Sequence, residues 1–472
     1  MNSRSTKIFA IFFLTAVCVF LWSLWKRIIH IDDVWLGEYS YFFNQLGYVK
    51  SEAMRGFYGA ENKLYVYHKL FTIEGAWVVQ WFGFKPYALK SLSLLYLCLS
   101  FIPLNLIYKK YSDSRQSTLL LLALYISFFH TMNLGFTFRP EMHLVLWSLL
   151  IFLFLDKYIE KSKFEDLALA GFFAGVSIAT HLNGNTLALT GVLFLWFFRR
   201  WWAGFIFGAI GSWGLFFYFF FDARSIEELK LSYLQLTQWR DVATGKYGWE
   251  LFLRIFEEQG RYLHSPPEII YSLMLVLLLI PARKYLKATS KNILIYLFIL
   301  CFCVAEMTHG VNTNYLMYAC PFFMILSVLS FEHLRVSKKE KLAWSAVAIF
   351  LVGSLSYDIS EFRHREPIAP EYAKVAEFLP AEVQVLAPAH LMFSGLGKFH
   401  IQSFVVYRDM VEAGQLQPTP NELFTEAEKF QIDYIVVDES NKQYWKITSD
   451  EYGSYKKMSE QPSKSFEIFK RR

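Results

Sequence analysis

The sequence opens with a long apolar run, Ile8–Trp25, which reads IFAIFFLTAVCVFLWSLW. A helix needs about 20 mostly apolar residues to cross a bilayer, because each residue rises about 1.5 Å through a hydrocarbon core of about 30 Å. The basic residues Arg4 and Lys7 precede the run, as in a secretory signal peptide, but Trp25-Lys26-Arg27 is a poor cleavage site. We therefore expect a first membrane span that is retained.

Ten further apolar runs follow, so the sequence predicts a polytopic α-helical membrane protein with about eleven transmembrane helices. Charged residues make up 19% of the chain, whereas a soluble protein carries about 25%. Two runs, Met142–Leu155 and Ile269–Ala282, are short for a span. All five cysteines lie in apolar runs, so we expect neither a disulfide framework nor a zinc site. The ten runs cover residues 88–108, 117–136, 141–156, 166–181, 184–198, 201–221, 268–282, 292–309, 314–331 and 341–357.

Lysine and arginine are concentrated in every second connection between the runs, which is the pattern that positive-inside topology produces. The intervening short connections 181–185 and 309–314 carry neither residue. We therefore expect a cytoplasmic N-terminus. An odd number of spans then places the C-terminal part outside, together with segments 26–87 and 222–267. The basic connections hold Lys109, Lys110, Arg115, Lys157, Lys161, Lys163, Arg199, Arg200, Arg283, Lys284, Lys287, Lys291, Arg335, Lys338, Lys339 and Lys341.

The first outer segment, 26–87, contains two stretches of aromatic and aliphatic residues that end at Gly47 and Gly83. Their pattern predicts two amphipathic helices at the membrane interface. The other outer segment, 222–267, is expected to be partly helical, from Ile226 to Trp239.

An acidic pair, Asp32-Asp33, lies near the start of the first outer segment. Two carboxylates at a membrane boundary are costly unless they are hydrated, paired or functional. One of them can act as a general base while the other orients it, although a helix cap with an acidic neighbour is the alternative. His68 and Lys69 precede the second amphipathic helix, where a cation can hold a phosphate headgroup. The alternative for Lys69 is a charge that reaches water.

Polar residues also mark the outer turns. Arg139 runs against the charge bias, so we expect an anion partner, with pairing to Glu141 as the alternative. Arg254, Arg261 and His264 could reach a headgroup, but we interpret them as solvated. Because these turns and the acidic pair are predicted on one membrane face, they indicate a functional site. Its further candidate members are His181, Asn183, Asn185, Glu306, His309, Asn312, Asn314 and Tyr315.

The C-terminal part, residues 358–472, follows a transmembrane domain that is predicted to cover residues 1–357. Short apolar strands alternate in it with helical stretches, which predicts a small α/β domain. It contains no glycine-rich phosphate loop, no nucleophile elbow and no metal-ligand spacing, so we expect a structural or recognition role. The predicted elements are helices Glu371–Leu379 and Asn421–Phe430 and strands Val383–Ala387, Tyr434–Val437 and Ser465–Phe469.

This arrangement resembles the C-type glycosyltransferases, a superfamily that includes protein O-mannosyltransferases and lipid A aminoarabinose transferases. The most specific similarity is Ile31-Asp32-Asp33-Val34-Trp35, which is similar to the acidic motif in the family's first outer loop. Tyr67-His68-Lys69-Leu70 is similar to the loop whose lysine contacts the donor phosphate, although the usual acidic residue and prolines around it are missing. Weaker similarities are Arg139-Pro140-Glu141, Asn314-Tyr315…Pro321 and Asp433–Asp438.

The resemblance implies an inverting transfer of a sugar from a polyprenyl-phosphate donor to an acceptor hydroxyl on a lipid, glycan or protein. It implies that Asp32 and Asp33 are catalytic, that Lys69, Arg139 and His68 bind the donor phosphate, and that the bacterial inner membrane is the location. Glu141, His181, Glu306, His309 and Tyr315 are candidates for substrate binding. We expect no metal site and no cofactor, and the sequence leaves a requirement for a divalent metal open.

Two other functions fit the same pattern of spans. A transporter or flippase would use the polar groups as a pathway, but the spans lack charged residues near their centres and no inverted repeat is evident. A non-catalytic protein of cell-envelope glycan assembly would use the outer domain for binding.

Overall fold

The computed structural model describes residues 3–56, 59–112, 114, 116–238, 254–308, 312–365 and 369–472. The chain forms two compact units that do not follow chain order. The first comprises the described residues up to Arg27, His68–Phe71 and Lys90–Arg365. The second comprises Ile28–Tyr67, Thr72–Leu89 and the described residues of Glu366–Arg472. The second unit therefore combines most of the first outer segment with the C-terminal part.

The first unit is helical, and every predicted apolar run is found in helices. Among the described residues, seven helical segments are long and apolar enough to cross a membrane. The two runs that looked short in sequence lie in two of these seven, Glu141–Lys161 and Pro266–Thr289, because their helices continue into polar flanking residues. The helices are Ser3–Leu24, Pro86–Tyr111, Ser117–Ser127, Phe129–Leu134, Glu141–Lys161, Phe164–Thr180, Gly184–Phe197, Trp201–Gly211, Trp213–Phe220, Ile226–Gln238, Gln259–Tyr262, Pro266–Thr289, Lys291–Met307, Leu316–Val336 and Glu340–Arg363.

Four of the predicted eleven spans are shorter than a full crossing. The run 117–136 is divided into two helices at Phe128, whose backbone is extended. The helices Phe164–Thr180 and Lys291–Met307 have 17 residues each, and Gly184–Phe197 has 14. At about 1.5 Å per residue these helices cover less than the hydrocarbon thickness, so they depend on neighbouring helices.

Helix Leu316–Val336 lies at the centre of the first unit. It is the most buried of the seven candidate spans, and a helix that is apolar on all sides belongs in a core. Rings of two other helices pack on its Phe322, namely Phe152 and Tyr296, with centroid distances of 5.3 and 5.2 Å. The first helix joins through Phe9, whose ring centroid is 5.8 Å from that of Phe331.

Helix Ile31–Leu46 in the second unit begins with a reciprocal cap. The backbone N–H of Asp32 donates to His30 Nδ1, and the carboxylate of Asp33 accepts from the His30 N–H at 2.6 Å. The helix ends at Gly47, the predicted stop, which has a left-handed φ of 74°. Half of its residues are buried, and Gly37 lies against Phe84 and Phe393. This helix is therefore more buried than the interfacial helix that the sequence predicted.

The second predicted interfacial helix, Lys69–Phe82, exposes large aromatic side chains at Trp77, Trp81 and Phe82. Such an exposed aromatic face suits the headgroup layer of a bilayer.

Six strands of the C-terminal part form one sheet, namely β1 (Gln384–Ala387), β2 (His400–Ser403), β3 (Tyr434–Asp438), β4 (Glu451–Tyr452), β5 (Tyr455–Lys457) and β6 (Phe466–Arg471). Their order in the sheet is β2-β1-β3-β6-β5-β4. Strand β1 pairs in parallel with β2 and β3, and the other pairs are antiparallel. The predicted strands are present, with β2, β4 and β5 in addition. The helices are Ala369–Phe378, Met392–Gly395, Phe404–Glu412, Pro420–Lys429 and Glu439–Trp445.

Candidate functional site

A buried ion pair begins the candidate site of the first unit. Lys69 is 1% exposed, and its ammonium pairs with the carboxylate of Asp222. The ring of Tyr218 lies 5.4 Å from Lys69 Nζ. Two charges of this kind are stable in a buried place only as a pair. The predicted phosphate-binding lysine is thus present as a buried cation, but one that already has an acidic partner.

His68 lies beside this pair and stacks on His181, with ring centroids 4.1 Å apart. His181 Nδ1 accepts the backbone N–H of Asn183 at 2.8 Å, so the neutral ring carries its proton on Nε2. Burial and the charge of Arg139 lower the pKa of His181 from 6.5 to about 3. His181 is therefore a neutral hydrogen-bond donor over the physiological pH range.

The tight turn after His181 depends on Gly184. A Cβ at that position would lie 2.2 Å from the carbonyl carbon of Ser177. Only glycine lets the chain fold back this closely on the preceding helix, so this residue places His181 at the end of its helix.

Arg139 forms a fork with Glu141, as the alternative interpretation of the sequence had it. Its Nε and Nη2 donate to Glu141 Oε1 at 3.0 and 2.6 Å, and Glu141 is buried. Phe138, next to Arg139, packs on Phe71 with a centroid distance of 4.4 Å. This contact holds the start of helix Lys69–Phe82 near the Arg139 turn.

A third cation, Arg261, lies near Tyr315. Its guanidinium is 5.5 Å from the centroid of the Tyr315 ring, and the charges of Glu141, Arg139 and Arg261 all act on this tyrosine. Arg261 is 1% exposed and makes a fork with Glu258 at 2.8 and 2.7 Å. The interpretation of Arg261 as solvated is therefore wrong, because the fork with Glu258 lets the guanidinium be buried.

Arg261 and Tyr315 also line an apolar cavity of about 440 Å³. Helices Lys291–Met307 and Leu316–Val336 form its walls. Phe298 and Phe302 border it and are exposed to the surroundings of the helices. A cavity of this kind suits an apolar chain with a polar group at its end.

We name the set His68, Lys69, Arg139, Glu141, His181, Asp222, Arg261 and Tyr315 the polar cluster. Six of its members were predicted from sequence, and the structure brings them together from four separate parts of the chain. Each of its three cations has a carboxylate partner among the described residues, namely Asp222, Glu141 or Glu258. The cluster is thus a preorganised set of neutral pairs, not an open patch of positive charge.

The acidic pair belongs to the second unit, where its two carboxylates differ. Asp33 is fully buried, and its carboxylate caps the helix as described above. Asp32 is one-third exposed, with a carboxylate oxygen 3.1 Å from His30 Nδ1. Because Nδ1 also faces the Asp32 N–H, it can accept from the backbone or donate to the carboxylate, but not both at once. Asp32 is therefore the more exposed member of the pair.

A buried carboxyl, Glu38, lies one to two turns further along the same helix. Its Oε1 accepts the backbone N–H groups of Glu52 and Ala53 at 2.6 and 3.1 Å, and its Oε2 lies 2.7 Å from Ser51 Oγ. Burial raises the pKa of Glu38 from 4.5 to about 7, against the opposing effect of these hydrogen bonds.

The remaining candidates are less informative. Glu306 is half-buried at the end of its helix, and its carbonyl oxygen accepts from Arg254 at 3.0 Å. His309 lies outside the described residues. Within the described parts of the chain, no group of three His, Cys, Asp or Glu side chains could hold a metal ion.

Three residues with notable contacts were not predicted from the sequence: Asp222, His30 and, in the C-terminal part, His390, which lies 2.9 Å from the carbonyl oxygen of Ile29. Asp222 carried a usable signal, because an acid directly after an apolar run at a membrane boundary needs a partner. The histidines carried none, since single histidines in loops are common.

Solved structures share this architecture, although no family model and no curated protein matches the chain. ArnT from Cupriavidus metallidurans bound to undecaprenyl phosphate aligns with a TM-score of 0.67 and 12% identity, over 98% of each chain. The oligosaccharyltransferase of Archaeoglobus fulgidus, crystallised with Zn and sulfate, aligns with a TM-score of 0.59 and 11% identity, over 90% of this chain and 67% of its own. AglB from the same archaeon, in complex with an inhibitory peptide and a dolichol-phosphate, aligns with a TM-score of 0.55 and 12% identity, over 92% and 69% of the two chains.

These identities establish the fold alone. The alignment with ArnT extends over both the helical part and the C-terminal sheet, since it leaves almost none of either chain unmatched. The chain is thus an integral membrane protein with the fold of the C-type membrane glycosyltransferases.

Proposed function

We propose that this protein is an inverting glycosyltransferase that moves a sugar from a polyprenyl-phosphate donor to an acceptor hydroxyl. The observation that carries the proposal is the apolar cavity whose lining includes Arg261 and Tyr315, two members of the polar cluster. A donor with a long apolar tail and an anionic head matches a cavity that is mostly apolar and has a cation in its lining. The structural neighbours solved with undecaprenyl phosphate and dolichol-phosphate support a donor of this class.

The polar cluster suits the leaving group of such a reaction. As the bond between the anomeric carbon and the phosphate oxygen breaks, its electron pair moves onto the lipid phosphate, which gains negative charge. Lys69 and Arg139 are cations held in place by Asp222 and Glu141 before any donor arrives. Preorganised charges of this kind stabilise developing negative charge without reorganisation. The neutral His181 adds an N–H donor at the same place.

Asp32 is the proposed general base. The acceptor hydroxyl loses its proton to the Asp32 carboxylate while its oxygen attacks the anomeric carbon from the face opposite to the phosphate. Asp33 is engaged in the helix cap and would orient the first turn. Transfer needs no nucleotide fold, because the donor arrives through the bilayer. We further propose that the reaction needs no cofactor and takes place on the outer face of the bacterial inner membrane.

The test uses the full-length protein in lipid nanodiscs and undecaprenyl phosphate that carries a radiolabelled hexose or pentose. We expect the label to leave the lipid when membrane lipid extract or envelope glycan is added as acceptor, with release of undecaprenyl phosphate. Native mass spectrometry should show at least about tenfold tighter binding of undecaprenyl phosphate than of undecaprenol, which lacks the phosphate.

The same preparation in vesicles distinguishes the rival functions. Labelled lipid that moves across the bilayer without any transfer would overturn the proposal in favour of a flippase. Absence of both transfer and lipid binding would favour a non-catalytic assembly protein.

A further inference from the structure

The carboxyl ends of the parallel strands in the C-terminal sheet meet at one edge. Strand β1 ends at Ala387 and is followed by Pro388, Ala389 and His390, and β3 ends at Asp438, which caps the next helix. In sheets with parallel strands, functional side chains gather at this edge. His390 and Asp438 are thus the candidate functional residues at this edge.

His390 contacts the first outer segment within the second unit. Its Nε2 lies 2.9 Å from the carbonyl oxygen of Ile29. Because a carbonyl oxygen only accepts, Nε2 must carry the proton and donate. The ring packs nearly parallel to Tyr372, with a centroid distance of 5.7 Å and an angle of 22°, so its orientation is restrained on a second side.

Ile29 directly precedes the cap of the helix that carries the acidic pair. His30 is the N-cap, and Asp32 and Asp33 lie in the first turn. The carbonyl that His390 holds is thus three residues before Asp32.

We propose that His390 is a positioning residue for the transfer reaction, in which its hydrogen bond to Ile29 fixes the first turn of helix Ile31–Leu46 and so directs the carboxylate of Asp32. This inference rests on the proposed function. It gives the C-terminal domain a direct part in the reaction: one of its side chains orients the base. A displacement of about 1 Å in a catalytic group lowers rates by about 10²-fold.

Two amide variants, His390→Gln and His390→Asn, separate positioning from general stability. The amide of Gln places an N–H where His has Nε2–H, whereas the shorter Asn places its N–H near the position of Nδ1. For His390→Ala and His390→Asn we expect kcat to fall by 10- to 100-fold, with KM for the sugar-loaded undecaprenyl phosphate within twofold of the wild type. For His390→Gln we expect kcat within about threefold of the wild type. Equal losses in the Gln and Asn variants, in proportion to a lower melting temperature, would overturn the inference.

A readout without catalysis keeps this inference separate from the proposed function. Hydrogen exchange of the backbone amides of residues 29–34 should accelerate by at least about tenfold in His390→Ala and His390→Asn, but not in His390→Gln. Unchanged exchange in His390→Ala refutes the positioning role, whatever the activity. Faster exchange in a protein that transfers no sugar leaves the positioning role standing and overturns the proposed function instead.

Discussion

Glu38→Gln provides a quantitative test of the electrostatics in the second unit. The folded protein raises the pKa of this carboxyl from 4.5 to about 7, chiefly through burial. Folded protein therefore binds more protons than unfolded protein between these two values, and stability falls as the pH rises through this window. Each pKa unit corresponds to about 1.4 kcal/mol, so the full ionisation cost above pH 7 is about 3 kcal/mol. Between pH 6 and pH 8 the cost increases by about 1 kcal/mol.

Glutamine reproduces the neutral form of this side chain. Its carbonyl oxygen can accept the N–H groups of Glu52 and Ala53, and its amide can donate to Ser51 Oγ, which Glu38 Oε2 now faces. The variant should consequently be about as stable as the wild type at pH 5 and about 3 kcal/mol more stable at pH 8.

Local stability can be measured by hydrogen exchange of the amides of residues 51–54, with intrinsic rates corrected for pH. We expect the wild type to lose about 1 kcal/mol of protection between pH 6 and pH 8 and Glu38→Gln to lose almost none. The exposed Glu377 provides the matched control, because Glu377→Gln should follow the wild type. A Glu38→Gln variant with the pH dependence of the wild type would refute the assignment of a raised pKa to this group.

Three further predictions concern buried charges of the first unit. Lys69→Met and Asp222→Leu should each destabilise the protein by about 3–5 kcal/mol, because each leaves an uncompensated buried charge. The double variant should recover to within about 1 kcal/mol of the wild type, as measured by thermal unfolding in nanodiscs. Recovery of transfer activity in the double variant would contradict a role of Lys69 in donor binding. Arg261→Lys keeps the charge but loses the two hydrogen bonds to Glu258. Undecaprenyl phosphate should therefore bind about tenfold more weakly, as measured by native mass spectrometry. An unchanged affinity would exclude Arg261 from the donor site. Asp358 is fully buried and neither of its carboxylate oxygens has a hydrogen-bond partner among the described residues, so Asp358→Asn should unfold at the same or a higher temperature; a clear drop would mean that the charge has a partner.

The helical architecture could be predicted from the sequence because a long apolar run is typical of a helix that contacts lipid or a protein core instead of water. Each of the eleven runs lies in helices over its described residues, and helix Pro266–Thr289 is longer than its apolar run because polar residues at its ends continue the backbone hydrogen bonding. Whether a run crosses alone depends on its neighbours, and the break at Phe128 left no mark in the composition.

The candidate site was predictable in its members but not in its pairs. Lys69 and Asp222 are separated by 153 positions, and no local pattern links them. The pairing of Arg139 with Glu141, two positions apart, was foreseen as an alternative because it is local. The burial of helix Ile31–Leu46 and the short strand β2, with its sequence His-Ile-Gln-Ser, arise from tertiary packing that overrides weak local preferences.

The two acidic residues allow the central claim to be tested most directly. Single-turnover transfer from sugar-loaded undecaprenyl phosphate should be measured for the wild type, Asp32→Asn, Asp33→Asn and the control Glu377→Gln. We expect a loss of 10²- to 10⁴-fold for Asp32→Asn, because the general base is removed. Asp33→Asn should lose less transfer activity than Asp32→Asn. It should also unfold at a lower temperature, because the Asp33 carboxylate caps the helix. Full transfer activity in Asp32→Asn would contradict the account.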